Sequence, residues 1–393
     1  MKQVYVDHAA TTPVDPLVLK KMNPYHTTHY GNASSLHLQA RNAAEAIEEA
    51  REHVAHYLRA KPEEIIFSSG GTESDNLAIK GVIEKHEFSK QAKGPHIITS
   101  SIEHPAILNT CKYLEKKGYK VAYLPVDDQG MVHVSDLEET LSKDTIIVSI
   151  MYANNEIGTI QPIEKLAKIT HDYEAIFHTD AVQAIGKIPI DVKKEDIDLL
   201  TISGHKFYGP KGVGALFKRQ DVKLSPILHG GGHELNLRSG TENTPGIVGI
   251  GEAIRIATDR MSTDMKIIQG LRNTLIKSTL EIEESYLNGH PSNRLPNNAH
   301  FRFTAIEGES LIMLLDDKGI MASTGSACSS ADLTASHVLL AIGLKPEEAH
   351  GSLRITLGRT NTKEEINYIS ESLPNIIQTL RNMSPLWKKQ KEN

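Results

Sequence analysis

The feature that most constrains this chain is an alternation of two patterns. Short runs that are apolar nearly throughout recur along its first two-thirds: EIIFSS (64–69), HIITSS (96–101), YKVAYLPV (119–126), TIIVSIMYA (145–153), AIFHTDA (175–181), DLLTIS (198–203) and GVGALF (212–217). Between them lie amphipathic helical stretches such as SLHLQARNAAEAIEEAREHVAHYLRA (35–60) and PIEKLAKITHDY (162–173). A strand apolar on both faces must be covered on both faces, so the pattern predicts an α/β domain with a mostly parallel, mixed sheet flanked by helices. From about residue 256 the alternation gives way to a long helical stretch and sparser strands. At 393 residues the chain exceeds what one core usually serves. We therefore expect a large domain over 14–256 and a smaller α+β domain from 1–13 and 257–393, with the final WKKQKEN as a solvated tail.

Charge and cysteine content narrow the function. A formal net charge of −6 gives no electrostatic case for nucleic acid. Two cysteines in so long a chain exclude a disulfide framework and point to a reducing cytoplasm. The opening MKQVYVDHAATTPVD reads as no signal peptide, and no apolar run approaches a membrane span. One of the two cysteines, Cys328, sits in STGSACSS, with little around it to pack against, and reads as an exposed nucleophile on a flexible loop. Cys111, in AILNTCKYLEKKG, reads as one side chain on a helix.

In parallel sheets a ligand site forms at the carboxyl ends of the strands. After the first run come Gly70 and Gly71, then Thr72 and Asp75 at capping-box spacing, a candidate phosphate cradle at a helix N-terminus. His104 follows the second run and suits stacking on a flat ligand or proton transfer. Asn154 and Asn155 follow the fourth. Asp180 ends the fifth, where a carboxylate needs a cationic partner. Lys206 follows the sixth inside GHKFYGPKG, a partly desolvated amine suited to a Schiff base. Each taken alone also fits an ordinary turn, cap or salt bridge. Together, an anion cradle, a stacking imidazole, a buried acid and an amine nucleophile are what pyridoxal 5'-phosphate requires.

DHAATTP, GGTESDNLAIKG, EHPA, NNEIG, HTDAVQAIGKIPID, SGHKFYGPKGVGAL, GGGHELNLRSGTEN, STGSACSS and SLRITLGRTNT resemble the cysteine desulfurases of the NifS/IscS group, in the class V, fold-type I aminotransferase superfamily. The resemblance runs from about residue 3 to about residue 375. It implies that Lys206 forms the Schiff base and moves the substrate α-proton, Asp180 pairs with the pyridine nitrogen, and Gln183 bonds the ring hydroxyl oxygen. His104 would stack on the ring and relay protons. Gly71, Thr72, Ser203 and His205 would hold the phosphate, with Thr241 reaching it from the other subunit of a homodimer. Asn155, Arg354 and Asn32 would grip the carboxylate of L-cysteine, and Cys328 would take its sulfur as a persulfide, leaving L-alanine. The sulfur would pass to a protein acceptor, an iron–sulfur scaffold or a tRNA-thiolation enzyme.

Two positions depart from the family's habit: Gly71 where Ala is common and Thr324 where Ser is common. The alternatives are a selenocysteine lyase or another class V lyase or aminotransferase, and a catalytically silent cofactor-binding scaffold. Cys328 in its GSAC setting disfavours an aminotransferase, and the intact set of Lys206, Asp180, His104 and Arg354 disfavours a scaffold. No metal motif is evident among the 19 histidines. GIVGIGEAI (246–254) reads as a helix start packed closely on a neighbour.

Overall fold

The computed structural model describes residues 2–87, 95–325 and 335–387. Its strands are β1 (Val4–Tyr5), β2 (Ile65–Ser68), β3 (His96–Ser100), β4 (Lys120–Leu124), β5 (Thr145–Ser149), β6 (Ile176–Asp180), β7 (Leu199–Ser203), β8 (Gly214–Lys218), β9 (Ser285–Leu287), β10 (Asn298–Phe303), β11 (Ile320–Met321) and β12 (Ser352–Thr356). The seven apolar runs of the sequence become β2 to β8, and all seven join one sheet in the order β2-β8-β7-β6-β5-β3-β4. Pairings from β4 through β7 are parallel, while β8 runs antiparallel to both β7 and β2.

Alternate side chains of these strands enter two different cores, which explains why the runs are apolar throughout. Ile65, Phe67, Phe177, Leu200 and Ile202 join the core under the helices Leu38–Leu58 and Ile163–His171. Ile66, Ile97, Ile147 and Leu199 join the core under the helices Gly71–Glu87 and Pro105–Lys116, where Cys111 is buried and its thiol pushed up to about 12. The helix Thr244–Thr279 packs against Leu38–Leu58 with almost no space between backbones. A Cβ on Gly251 would lie 2.5 Å from that of Ala50, so the close packing read from GIVGIGEAI is present.

The same helix runs unbroken through position 256. Ile247 to Ile256 belong to the large core, whereas Ile268 and Leu275 belong to a third one. That third core lies on the antiparallel sheet β12-β10-β9 and includes Val4 and Val6 beside the helix Lys363–Met383. Trp387 corrects the expectation of a solvated tail. It is buried, with Arg381 4.1 Å from its ring centroid, because a large aromatic face gains more from covering a guanidinium and the core edge than from water. No helix among the described residues is long and apolar enough to cross a membrane.

At the amino ends of β6 and β7, far from the strand termini that carry the motifs, His171 bridges Asp196 and Asp198 at 2.8 and 2.7 Å, with Arg219 pairing both acids. The Asp198 hydrogen bond leads in raising the His171 imidazole above its ordinary 6.5, against burial. The folded chain therefore binds this proton more tightly than the unfolded one. The stabilisation is complete below pH 6.5 and is lost as pH rises through the folded value. We expect the gap in denaturant midpoint between the parent and His171→Gln to be widest below pH 6.5 and to close at alkaline pH. A gap constant across that range would exclude the protonated bridge.

Candidate functional site

A cavity of about 590 Å³ opens at the carboxyl ends of the sheet. Its walls come mainly from residues that end or succeed strands: Ser69 to Glu73 after β2, His104 after β3, Asn155 and Glu156 after β5, Asp180, Val182 and Gln183 at β6, and Ser203, His205 and Lys206 at β7. Ala9 and Ala10 of the N-terminal segment, with Gly325 and Arg354, complete the lining.

One end suits an anion. The helix Gly71–Glu87 begins there, and the first N–H groups of a helix have no partner within it. Gly70 has φ +152°, which only glycine adopts readily, and this turns the chain from β2 into the helix. A Cβ on Gly71 would lie 3.1 Å from Val182 Cγ2, a physical reason for glycine where alanine is common. The capping-box reading of Thr72 and Asp75 is overturned. The helix already starts at Gly71, so Thr72 lies inside its first turn, and the Asp75 side chain is buried. The acidic Glu73 is turned to other partners: it accepts from Ser69 N at 3.1 Å and pairs with Arg238 Nε at 2.9 Å. These contacts hold its carboxyl below the ordinary value despite burial. Ser203 and His205 line the same end; His205 bonds Thr11 Oγ1 at 3.1 Å, and burial together with Lys206 and Lys211 pushes its imidazole down to about 4.

The other end suits a flat cationic ring. Asp180 is buried, and its carboxylate accepts from Val182 N at 2.9 Å. Burial raises its carboxyl, while His104 and Lys206 draw it down. Lys206 Nζ donates to the carbonyls of Ala9 and Ala10, each at 2.7 Å. Gln183 Nε2 donates to the same Ala9 carbonyl at 3.0 Å. His104 caps the helix Pro105–Lys116: Ala106 N donates to its Nδ1 at 3.1 Å, so the neutral ring carries its proton on Nε2. Burial holds His104 below the ordinary imidazole value, against the pull of Asp180.

Arg354 approaches from β12, bridged to Ser323. Its Nη1 donates to the carbonyls of Asn155 (3.1 Å) and Gly325 (3.2 Å), its Nη2 pairs with Asp7 at 2.9 Å, and its buried Nε has no partner among the described residues. A carboxylate fits such an arginine bidentately.

Pyridoxal phosphate, the group expected from the sequence, fits this set. The helix start, Ser203 and His205 would hold its phosphate, the buried Asp180 its ring nitrogen, His104 its face, Gln183 its hydroxyl oxygen and Lys206 its aldehyde carbon. The structure thus brings together Gly71, Thr72, His104, Asn155, Asp180, Gln183, Ser203, His205, Lys206 and Arg354 around one cavity. It does not bring Asn32 there: that residue is exposed and its side chain accepts from Ser34 N at 2.9 Å. Thr241 is exposed and outside the lining. Cys328 lies outside the described residues.

Sequence reasoning missed several groups. Glu103, Glu156 and Asp75 lay inside quoted motifs, yet nothing in their spacing showed that all three would be buried. Asp7 gave no sign that it would pair with a residue more than three hundred positions away. His337, which lines the cavity, stood in no strand-end motif.

Comparison with known proteins agrees with this chemistry. Residues 4–369 match the family described as aminotransferase class-V. A relative from Methanosarcina thermophila named cysteine desulfurase IscS is 53% identical over 389 residues, covering 99% of this chain and 95% of its own. Among solved structures, a NifS-like protein superposes with a TM-score of 0.90 at 42% identity, covering 96% of this chain and 100% of that one. Another, SspA in complex with cysteine, superposes at 0.81 with 38% identity over 92% of this chain and all of its own.

Asp180→Asn keeps the side chain's size and removes its charge. Losing a charged hydrogen bond of about 1.5–3 kcal/mol should weaken pyridoxal phosphate binding roughly 10- to 100-fold in a fluorescence titration. An unchanged affinity would remove Asp180 from the ring's environment.

Proposed function

The chain belongs to the class-V aminotransferase family, and we infer that it is a pyridoxal-phosphate-dependent cysteine desulfurase. It takes sulfur from L-cysteine and leaves L-alanine. The observation that carries this reading is the convergence of the Lys206 amine, the buried Asp180 carboxyl and the Arg354 guanidinium on one cavity. When bound, the cofactor supplies an aldehyde carbon that condenses with amines and a protonated ring that accepts an electron pair.

In this reading the residues divide the work by their chemistry. Asp180 keeps the ring nitrogen protonated. Arg354 receives the substrate carboxylate, with Asn155 beside it. Lys206 would hold the cofactor's aldehyde carbon, and its amine would take the proton from the substrate α-carbon; here Nζ donates to the Ala9 and Ala10 carbonyls. Cys328, as thiolate, attacks the substrate sulfur. A sulfur–sulfur bond forms as the carbon–sulfur bond breaks, so Cys328 ends as a persulfide. The sulfur then passes to a protein acceptor, an iron–sulfur scaffold or a tRNA-thiolation enzyme, in the cytoplasm. Thr241, exposed and outside the lining of its own cavity, is supported as a residue that serves the partner's phosphate site in a homodimer. We retain the division into 14–256 and the remainder, supported by two cores that share one helix. Asn32 keeps a substrate role only if a partner's cavity lies beside it.

The test is chemical. The parent protein, loaded with cofactor and given L-cysteine, should release one alanine for each sulfur found on Cys328 by mass spectrometry. Cys328→Ser should load cofactor and bind cysteine yet form no alanine; turnover at the parent rate would sink the nucleophile assignment. Arg354→Ala should raise the KM for cysteine at least about tenfold, as expected when a charge-assisted hydrogen bond worth roughly 1.5–3 kcal/mol is lost. An unchanged KM would remove Arg354 from the substrate site.

A further inference from the structure

Arg354 is balanced by a carboxylate that the chain itself supplies. Its Nη2 pairs with Asp7 Oδ1 at 2.9 Å, and the two side chains are only 3% and 17% exposed. The pair is fixed on both sides. Arg354 and Thr356 lie on one face of β12, and Thr356 holds the segment of Asp7: Thr356 N donates to Val6 O at 2.7 Å, His8 N to Thr356 O at 3.3 Å, and Ala9 N to Thr356 Oγ1 at 2.8 Å. The Tyr5 hydroxyl donates to the Asp7 carbonyl at 3.0 Å. Arg354 Nη1 is held independently, by the carbonyls of Asn155 and Gly325. Of these contacts to the guanidinium, the one from Asp7 brings a negative charge.

The other ionisable groups around Arg354 balance it less. Glu156 is bound by Ser336 Oγ at 2.6 Å, and burial pushes its carboxyl up. Burial, followed by Arg354 itself, pushes the His300 imidazole down to about 3, so that ring is neutral at pH 7.

An amino acid's carboxylate and the chain's own carboxylate would therefore meet at one cation. Two carboxylates on one guanidinium stand within the about 4–6 Å over which one charge acts strongly on another, and the repulsion grows where water is excluded. Cysteine and alanine differ in the side chain and share the carboxylate. A grip on that group holds product as firmly as substrate and does nothing for the chemical step. A cation left uncompensated would tighten both alike.

Resting on the reading of Arg354 as the partner of the substrate carboxylate, we propose that Asp7 is an internal competitor for that guanidinium, which holds down the site's affinity for amino-acid carboxylates and so lets alanine leave. The same contact spares a buried cation from standing alone in the empty site.

Asp7→Asn separates competition from support. An asparagine Oδ1 still accepts from Nη2 at the same place, so the direction of the guanidinium is kept while one negative charge is lost. In the cofactor-loaded protein, spectral titration should show L-alanine bound at least about tenfold more tightly than in the parent. L-alaninamide, which has no carboxylate, should bind as in the parent. The KM for L-cysteine should fall by a similar factor, and L-alanine should inhibit at correspondingly lower concentration. Asp7→Ser, which removes the charge with a smaller side chain, serves for the same comparison where the Asn variant fails to fold. Unchanged or weaker L-alanine binding, in a variant that takes up cofactor as the parent does, overturns the proposal, since Asp7 would then only support Arg354. Equal tightening for L-alaninamide overturns it too, because the carboxylate would not be the cause. Arg354→Ala identifies a failure of the underlying reading: an L-alanine affinity equal to the parent's there removes Arg354 from the substrate site, and the role of Asp7 with it.

Discussion

One negative charge, buried at the end of β6, organises the site. Asp180, Asp75 and Glu103 are all sealed from water at the carboxyl side of the sheet. Like charges so enclosed cannot all ionise. Asp75 is driven well up by burial and by Asp180 itself, and its neighbour His178, 3.8 Å away, is pushed down to about 3 and offers no positive charge. Glu103 is pushed to about 8, held by Ser100 Oγ and Met151 N. Burial raises the Asp180 carboxyl as well, but His104 and Lys206 oppose that rise. The two neutral acids therefore leave the charge where a ring nitrogen can use it.

The anion end is built by the opposite device. A carboxylate in the first turn of a helix would normally compete with a bound phosphate, but Glu73 is neutralised by Arg238. Arg238 lies on the loop that also carries Glu234, Leu235 and Asn236 at φ of 43°, 59° and 62°, three successive left-handed residues without a glycine among them. Such a turn is strained and persists only where its surroundings fix it. Arg51 pairs with Glu234 through Nη2 and Nη1, at 2.9 and 3.0 Å, and Glu234 also accepts from Phe67 N at 2.7 Å. Phe67 belongs to β2, the strand that ends in the phosphate cradle. The Arg238–Glu73 ion pair and the Glu234–Phe67 hydrogen bond thus tie the loop of Thr241 to the cradle and its strand.

How far the sequence could be read depends on the range of each interaction. β2 to β8 were legible because burial on both faces writes itself locally as an apolar run. The residue after each strand was legible because topology alone sends strand ends to one edge. The capping reading of Thr72 failed by one residue of helix start, since spacing cannot say which residue first turns helical. Trp387 failed because its partner Arg381 is placed by a helix packed on a different sheet. Asp7 and His337 were illegible for the same reason: each acts through a contact made across the fold, to Arg354 and to the Glu103 carbonyl, and neither contact leaves a pattern in its own neighbourhood.

Arg354 shows why those long contacts matter. It is carried by the small antiparallel sheet, yet it binds Asn155 from the large sheet, Asp7 from the N-terminal segment and Gly325, the last described residue before the segment of Cys328. One guanidinium therefore senses three parts of the chain at once. A lysine could not replace it, because a single ammonium cannot hold two carbonyls and a carboxylate in fixed directions while leaving a further N–H for substrate. Asp7 neutralises the guanidinium in the absence of substrate, so the buried cation never stands uncompensated. In the proposed function, an incoming carboxylate would meet a guanidinium already desolvated and already aimed, with the buried Nε left for it.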